Sequence, residues 1–196
     1  MAMTLPYPTW NPGQIVTASN LTTYLNNNGL FLLNGKQVVE KKYRGAANYL
    51  TTAGAGGMTW AAVDNTNLTL SVSSSFITGR IWAFAQFWAI CNYTDGNATP
   101  PYSGFFDLQV DSTNFMSTGT NSSTYGSAML AHGTSAPFNT GASSLLQLVT
   151  VAGWFTGLTT SATHSVRLMY KTGSTNSQVT IYNNTSPQVY MMLKED

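Results

Sequence analysis

The side chains that could take part in acid–base or nucleophilic chemistry are few and lie far apart in the chain. The sequence contains two histidines, His132 and His164, and one cysteine, Cys91. Asp107 and Asp111 alternate with apolar residues of one predicted strand, so their side chains would share a face about 13 Å apart at about 3.4 Å per residue. Carboxyl groups that hydrolyse glycosides lie at most about 9.5 Å apart. This pair alone therefore predicts no glycosidase site.

The remaining motifs indicate neither catalysis nor a bound cofactor. A serine or cysteine nucleophile with histidine and aspartate partners stays open by residue count, but no nucleophile-elbow motif is present. Cys91 ends an apolar strand, where a buried, unreactive thiol is the default. The glycine-rich residues 53–57 are not followed by the lysine and helix of a phosphate-binding loop, and residues 95–97 lack the alternating oxygen ligands of a calcium loop. We expect no enzyme activity, no metal ion and no cofactor.

The composition indicates a folded protein with a weakly charged surface. Of the 196 residues, 43% are hydrophobic and 8% are charged, whereas about 25% are charged in an ordinary globular protein. This length accommodates one domain with a sizeable core and a short appendage. A surface with so few charges suits a protein inside an assembly. The alternative is a secreted or thermophilic module with a neutral surface.

The basic residues form one concentration, at Lys36, Lys41, Lys42 and Arg44. No aromatic residues alternate with them as they do in proteins that stack nucleic-acid bases, so we expect no nucleic-acid binding. Lysines at an exposed strand edge discourage unwanted strand pairing, which is the role we predict. The sequence shows neither a signal peptide nor an apolar stretch of about 20 residues, so we expect synthesis in the cytoplasm and no membrane insertion.

From Gln37 onward, period-two alternation predicts antiparallel strands with one apolar face. Two stretches, 80–91 and 144–155, are instead apolar on both faces, and the second face of each needs a cover. If the two strands were neighbours they would expose a large apolar patch, which usually marks a subunit contact. A core covered by helices is the alternative, but the chain offers no second helix. The predicted oligomer-interface residues are Trp82, Phe84, Trp88 and Trp154.

The stretch from Trp10 to Gly35, WNPGQIVTASNLTTYLNNNGLFLLNG, is unlike the rest of the chain. Thr17 can cap a helix of about ten residues, which is shorter than the roughly 12 to 15 residues at which isolated helices become marginally stable in water. The helix therefore needs a partner surface. We predict a docking segment with a short helix at residues 1–36 and a β-sandwich domain at residues 37–196. The predicted docking residues are Trp10, Leu21, Tyr24, Leu25 and Phe31.

This stretch resembles the amino-terminal segment of many tailed-phage virion proteins. The resemblance lies in Trp10, the Val-Thr-Ala-Ser-Asn-Leu run, the Thr-Tyr-Leu-Asn segment and the closing Leu-Leu-Asn-Gly, and it covers about 25 of the 196 residues. Those proteins are tail-fibre, head-fibre or minor structural proteins in which the segment precedes a trimeric jelly roll similar to the C1q/TNF fold. Relatives often carry Arg-Asp after Tyr-Leu, whereas this chain has Asn26-Asn27, so any salt bridge of that pair is absent here.

The resemblance implies a structural virion protein of a tailed bacteriophage, made in the host cytoplasm. It would be a fibre or decoration subunit, anchored to other virion proteins by its first segment and displaying a trimeric antiparallel β sandwich of the jelly-roll type. One alternative is a receptor-binding tail-fibre tip that binds a host-surface glycan. Against glycan binding, tyrosines in loops also commonly cover the ends of a β sandwich, which is a structural role. A third candidate is a non-viral C1q-like binding module, against which the missing signal peptide counts. The candidate glycan contacts, expected in loops, are Tyr93, Tyr102, Tyr125 and Phe138.

Overall fold

The computed structural model describes residues 37–51, 58–73, 78–93, 102–119, 126–132, 146–175, 177–184 and 188–195. Within these ranges the chain forms β-strands and no α-helix. The predicted helix after Thr17 and the docking residues Trp10, Leu21, Tyr24, Leu25 and Phe31 lie outside the described residues. The strands are β1 (Val38–Tyr43), β2 (Tyr49–Leu50), β3 (Ala61–Ala62), β4 (Thr69–Val72), β5 (Arg80–Tyr93), β6 (Tyr102–Val110), β7 (Asn114–Phe115), β8 (Ala128–His132), β9 (Gln147–Thr156), β10 (His164–Thr172), β11 (Ser177–Tyr182) and β12 (Val189–Glu195).

Within the described ranges, the first sheet contains six strands in four antiparallel rows, and β5 is its long inner strand. One edge of β5 pairs with β9, from Arg80 opposite Thr156 to Ala89 opposite Gln147. The other edge pairs first with β12 and then with β11, so these two strands lie end to end in one row. β1 and β2 pair in turn with β12 and β11 and form the outer row. The rows are therefore β9, β5, β12 with β11, and β1 with β2.

The second sheet is built in the same way around β10 and β6. These two strands pair along their length, from Val166 opposite Val110 to Thr172 opposite Gly104. The other edge of β10 pairs with β4 and β3, which form one row. The other edge of β6 pairs with β7 and β8, which form another row. All of these pairings are antiparallel, as the alternating sequence predicts.

The hydrophobic core lies between the two sheets and contains the residues that alternation placed inward. Phe87 of the first sheet meets Phe106 of the second with ring centroids 5.0 Å apart. Burying a side chain of this kind fully is worth about 1.5 to 3 kcal/mol, so the inward sets fix which face of each strand is buried. The mainly β, antiparallel fold is confirmed, and the arrangement is consistent with the predicted β sandwich. In β5, whose two faces are both apolar in sequence, the inward face is that of Ile81, Ala83, Ala85, Phe87 and Ala89. The buried apolar residues that alternation places inward in the other strands are Leu68, Leu70, Val72, Phe106, Leu108, Val110, Val166, Leu168, Tyr170, Val179, Ile181, Val189, Met191 and Leu193.

The outer face of β6 departs from the prediction of a solvated face. Asp107 is 0% exposed and Gln109 is 5% exposed. Phe115 lies directly opposite Gln109 in the sheet, and its ring is 5.0 Å from the ring of Trp60. These aromatic side chains lie on the face that alternation left open. The prediction of a wet face on β6 was wrong because its cover comes from other parts of the chain.

The strand directions define two ends of the paired sheets. At the entry end lie Gln37, where the described chain begins, and Glu195, which accepts a hydrogen bond from the Gln37 amide. The turn at 111–113 and the segment 157–163 also lie there, since β6 and β9 finish at this end and β10 starts at it. At the opposite end, which we call the loop end, β5 and β8 finish and β6 and β9 begin.

Candidate oligomer interface

The outer face of the first sheet gathers the four predicted interface residues. Trp82 lies opposite Trp154, and Trp88 lies opposite Leu148. Trp154 is 44% exposed and Leu148 is 50% exposed, while the other two tryptophans are half-buried. The strands from the two stretches that are apolar on both faces, β5 and β9, are therefore neighbours, which is the condition under which the sequence predicts an exposed apolar patch. We call this surface the aromatic face, and it consists of Trp82, Phe84, Trp88, Leu148, Trp154, Tyr190 and Met192.

The rings of the aromatic face are ordered against one another. Trp82 stacks on Phe84 at 5.6 Å between centroids, and Phe84 meets the edge of Tyr190 at 5.8 Å. The guanidinium of Arg80 lies 4.9 Å from the centre of the Trp154 ring. Aromatic pairs of this geometry contribute about 0.5 to 1.5 kcal/mol beyond burial alone. The face is thus largely preformed, which lowers the entropy lost when a partner binds.

Charged residues border the aromatic face at the entry end, where Arg80 lies, and on the side of β12 and β1. Lys194 lies on β12, and Glu40 and Lys42 lie on β1, where the Lys42 ammonium is 5.7 Å from the Tyr190 ring and Glu40 accepts a 3.0 Å hydrogen bond from the Tyr190 hydroxyl. On the β9 side, residues 146–163 contain no charged side chain. Gln86 and Thr150 lie opposite each other within the aromatic face and share a 3.2 Å hydrogen bond from the Gln86 side-chain amide to the Thr150 hydroxyl. The face is therefore mainly apolar with one polar pair inside it, and protein–protein interfaces combine apolar and polar groups in this way.

The two outer rows of the first sheet differ in how they are protected. Among the described strands β1 pairs only with β12, and it carries Glu40, Lys41 and Lys42 at its edge. The prediction that this lysine cluster marks a strand edge is confirmed for Lys41 and Lys42, whereas Lys36 lies outside the described residues. β9 is ten residues long and uncharged. Natural edge strands usually carry charges that discourage pairing, so among the described strands of this sheet β9 is the long outer one that lacks this protection.

Two of the four candidate glycan contacts lie at strand ends rather than in loops. Tyr93 is the last residue of β5, opposite Ser177, and Tyr102 is the first residue of β6, opposite His132. The prediction that these two residues lie in a loop was therefore wrong, because β5 extends to Tyr93 and β6 begins at Tyr102. Both residues lie at the loop end, on either side of 94–101. Tyr125 and Phe138 lie outside the described residues.

His164 and Asp111 form a hydrogen-bonded pair at the entry end. The Nδ1 atom of His164 is 2.7 Å from Asp111 Oδ2, and Nε2 is 2.8 Å from the carbonyl oxygen of Thr159. Burial lowers the pKa of His164, but the hydrogen bonds to the Thr159 carbonyl and the Asp111 carboxylate outweigh it and raise the pKa above its ordinary value. A general base needs a free ring nitrogen to take a proton from a nucleophile, and here both nitrogens face acceptors.

The predicted geometry of Asp107 and Asp111 on one strand face is not observed. β6 ends at Val110, and Asp111 has φ 52, which removes it from the strand alternation. Asp107 stays in β6, where Oδ1 accepts hydrogen bonds from the Ser127 hydroxyl at 2.7 Å and the Leu108 amide at 2.8 Å, and Oδ2 accepts one from the Ser117 hydroxyl. The two carboxylates thus belong to separate hydrogen-bond networks.

Cys91 is buried, as predicted, and burial raises the pKa of its thiol to about 12. A thiol with so high a pKa is almost never the reactive thiolate at neutral pH. Within the described ranges, no three His, Cys, Asp or Glu side chains gather where they could hold a metal ion. The described part of the chain also contains no helix with the length and apolarity to cross a membrane.

Comparison with known proteins gives no family for this chain. No protein-family model matches it, and no curated protein sequence matches it significantly.

Proposed function

We propose that this protein is a structural subunit of a tailed-bacteriophage virion and that its β domain forms a homotrimer through the aromatic face. The observation that carries the proposal is the aromatic face itself, where Trp82 lies opposite Trp154 and Trp88 lies farther along the same face of β5, all three partly exposed. Exposed apolar patches with a polar rim usually mark protein contacts. The virion setting and the number three come from the resemblance of the stretch from Trp10 to Gly35 to the C1q/TNF-like virion proteins.

The order of the strand rows supports a jelly roll of the kind those proteins contain. Numbered along the chain, the eight rows are β1 with β2, β3 with β4, β5, β6, β7 with β8, β9, β10, and β11 with β12. The first row pairs with the eighth, the second with the seventh, the third with the sixth and the fourth with the fifth. A jelly roll is such a set of nested antiparallel pairs wound into two sheets.

The position of the entry end supports anchoring by residues 1–36. These residues precede Gln37, which lies at one end of the paired sheets, and the loop end lies at the other. A subunit fixed to a particle through its first segment would present the aromatic face sideways to its copies and the loop end outward. We therefore propose that other virion proteins bind the first segment.

Two measurements test this function. Sedimentation or light scattering of the full chain at micromolar concentration should give the mass of a trimer, and a stable monomer would contradict the proposed interface. Antibody labelling of intact phage particles should place the protein on their surface. Particles that assemble normally and contain none of it would overturn the virion role while leaving the oligomer unaffected.

A second candidate function is glycan binding at the loop end. Its specific support is that Tyr93 and Tyr102 end their strands at the side opposite Gln37, where a host surface would be met first. Aromatic platforms with neutral polar neighbours suit sugars. A glycan array probed with the full chain tests it, with Tyr93→Ala and Tyr102→Ala as the informative variants. Binding that survives both changes would exclude this site.

We also propose that the protein is not an enzyme. The support is that the one His–Asp pair in the described residues has its second ring nitrogen engaged by the Thr159 carbonyl. Asp107 likewise accepts hydrogen bonds from two serine hydroxyls and an amide, which is the arrangement of a structural carboxylate.

A further inference from the structure

We propose that protonated His164 holds the turn at 111–113 and the segment 157–163 against the start of β10 at the entry end. We call this proton-dependent contact the latch. Both ring nitrogens of His164 lie at hydrogen-bond distance from atoms that can only accept: Asp111 Oδ2 at 2.7 Å and Thr159 O at 2.8 Å. Neutral imidazole has one N–H group, whereas the imidazolium has two. Both hydrogen bonds therefore form together only when His164 carries the second proton. Loss of that proton leaves a nitrogen lone pair facing an oxygen lone pair.

The latch joins three separate parts of the chain. Thr159 belongs to the segment 157–163 that follows β9, Asp111 belongs to the turn after β6, and His164 begins β10. Asp111 also accepts a 2.9 Å hydrogen bond from the Ser165 amide through Oδ1, and its own amide donates to the Ser165 carbonyl at 2.8 Å. The carboxylate therefore links the turn both to the backbone of β10 and to the imidazole.

The turn held by Asp111 has an unfavourable backbone conformation. Asp111 has φ 52 and Ser112 has φ 60, and neither is a glycine. Left-handed conformations at residues other than glycine cost free energy, so such a turn persists when surrounding contacts fix it. The bond from His164 is one of these contacts. Loss of the bond to Asp111 should loosen the turn at 111–113. Loss of the bond to the Thr159 carbonyl should instead loosen the segment 157–163.

Few other charges act on His164 in the described part of the chain. The segment 157–163 and residues 69–73 of the paired strand β4 contain no titratable side chain, and Asp111 is the only one in 111–119. Of the charged residues near the same end, Arg80 extends over the Trp154 ring, and Glu195 accepts hydrogen bonds from the Gln37 and Thr78 amides. The raised pKa of His164 agrees with this geometry, because the two acceptors outweigh the burial of the ring.

The latch adjoins the point where residues 1–36 enter the domain. His164 lies opposite Val72 in the sheet, and the next residue, Ser73, donates hydrogen bonds from its amide and hydroxyl to Gln37 Oε1 at 2.7 and 3.0 Å. Protonated His164 thus braces the strand pair that holds the start of the domain. The inference concerns this end of the fold and is independent of the proposed oligomer.

The presence of only two histidines makes a direct test feasible. His132→Gln, a change at the loop end of β8, leaves His164 as the single imidazole in the full chain. Long-range nitrogen–proton NMR spectra should then show both ring nitrogens protonated at mildly acidic pH, with a titration midpoint above that of a free histidine. Asp111→Asn in the same background should lower the midpoint. A midpoint at or below the free value, or one unchanged by Asp111→Asn, would overturn the latch.

Hydrogen exchange gives a second readout that does not need a variant at His164. The amides of Asp111, Ser165 and Leu158 donate hydrogen bonds at the entry end, the last to the Gly79 carbonyl at 3.0 Å. Their protection factors should fall as the pH passes the His164 midpoint, while those of Phe87 and Leu168 in the core stay constant. Equal protection of both groups above and below the midpoint would show that the proton on His164 holds nothing in place.

Discussion

The hydroxyl of Tyr49 in β2 donates a 2.6 Å hydrogen bond to Asp64 Oδ2 in the turn between β3 and β4. This bond joins the outer row of the first sheet to the outer row of the second. Asp64 also accepts from the amides of Thr66 and Asn67 through Oδ1 at 2.8 Å each, and from Asn67 Nδ2 at 3.0 Å. One carboxylate thus closes its own turn and connects the two sheets.

The protein should lose stability in acid through Asp64. Burial raises the pKa of Asp64, but the hydrogen bonds from Tyr49, Asn67 and Thr66 outweigh it and lower the pKa to about 2. Because the folded pKa is depressed, the stabilisation is present above the unfolded pKa, near 3.9, and disappears as the pH falls towards about 2. Urea unfolding of Asp64→Asn between pH 5 and pH 2 should show a flatter pH dependence than the wild type.

Tyr49→Phe removes the hydrogen bond between the two sheets and keeps the hydrogen bonds that Asp64 accepts within its own turn. The change removes one hydrogen bond to a partly exposed carboxylate, and we expect a loss of about 1 kcal/mol at pH 7 that shrinks in acid. Tyr182→Phe is the matched control, because the Tyr182 hydroxyl has no hydrogen-bond partner among the described residues. Equal losses for the two variants would show that the Tyr49–Asp64 bond adds nothing to stability.

Substitution in the aromatic face should dissociate the oligomer without unfolding the domain. Trp154→Ser removes a ring that is 44% exposed, and a residue central to an interface typically costs about 2 kcal/mol or more of binding free energy. Sedimentation should show a shift towards monomer at micromolar concentration, with an unchanged circular dichroism spectrum. The control is Met129→Ser on β8 of the second sheet, a side chain that is 59% exposed. A Trp154→Ser variant that keeps the wild-type mass would remove Trp154 from the interface.

Gly104 should tolerate no larger side chain unless Val179 is made smaller. A Cβ atom at Gly104 of β6 would collide with Cγ2 of Val179 in β11, across the core. We expect Gly104→Ala to cost about 1 to 3 kcal/mol through overpacking. Gly104→Ala combined with Val179→Ala should be more stable than the sum of the two single changes predicts. Strict additivity in thermal unfolding would mean that the sheets do not approach each other there.

Replacing the acid–base residues should leave biological activity intact where the fold survives. His132→Gln, His164→Gln, Asp107→Asn and Asp111→Asn are each expected to preserve particle assembly and adsorption, because none of these groups faces a substrate in our proposal. Asp107→Asn is preferred to alanine, since removal of a buried acceptor leaves its donors unsatisfied. Hydrolysis of host polysaccharide that disappears in one variant would reveal an active site.

A chain that begins at Gln37 should fold and oligomerise but fail to join particles. The first segment is expected to dock onto a partner, whereas the described strands have their own core. A chain that begins at Val39 additionally loses the hydrogen bonds of Gln37 with Ser73 and Glu195, so it should be less stable than the chain beginning at Gln37. Insolubility of the Gln37 chain would place the first segment in the core or the subunit contact.

Alternation within a strand predicted the core because it shows which face of that strand is apolar. Leu68, Leu70 and Val72 can be assigned to a buried face without knowing which strand packs against them. The burial of Asp107 was missed because the hydroxyls that its carboxylate meets, on Ser117 and Ser127, come from outside β6. The His164–Asp111 pair joins residues 53 positions apart in the chain. Their contact depends on how β6 pairs with β10, which the pattern within either strand does not predict. Asp111 also leaves the strand through a positive φ that the sequence, which has no glycine there, does not signal.

The order in which strands appear during synthesis matters for β5. Its sheet partners β9, β11 and β12 all follow it in the chain, and β1 pairs with the last strand. Pairings so distant in sequence make folding slow, since the loop must close before the contact contributes. A nascent chain would therefore carry β5 with one edge unpaired until β12 has left the ribosome. The first sheet is completed only at that point, and the yield of soluble protein should depend on how quickly β12 reaches β5.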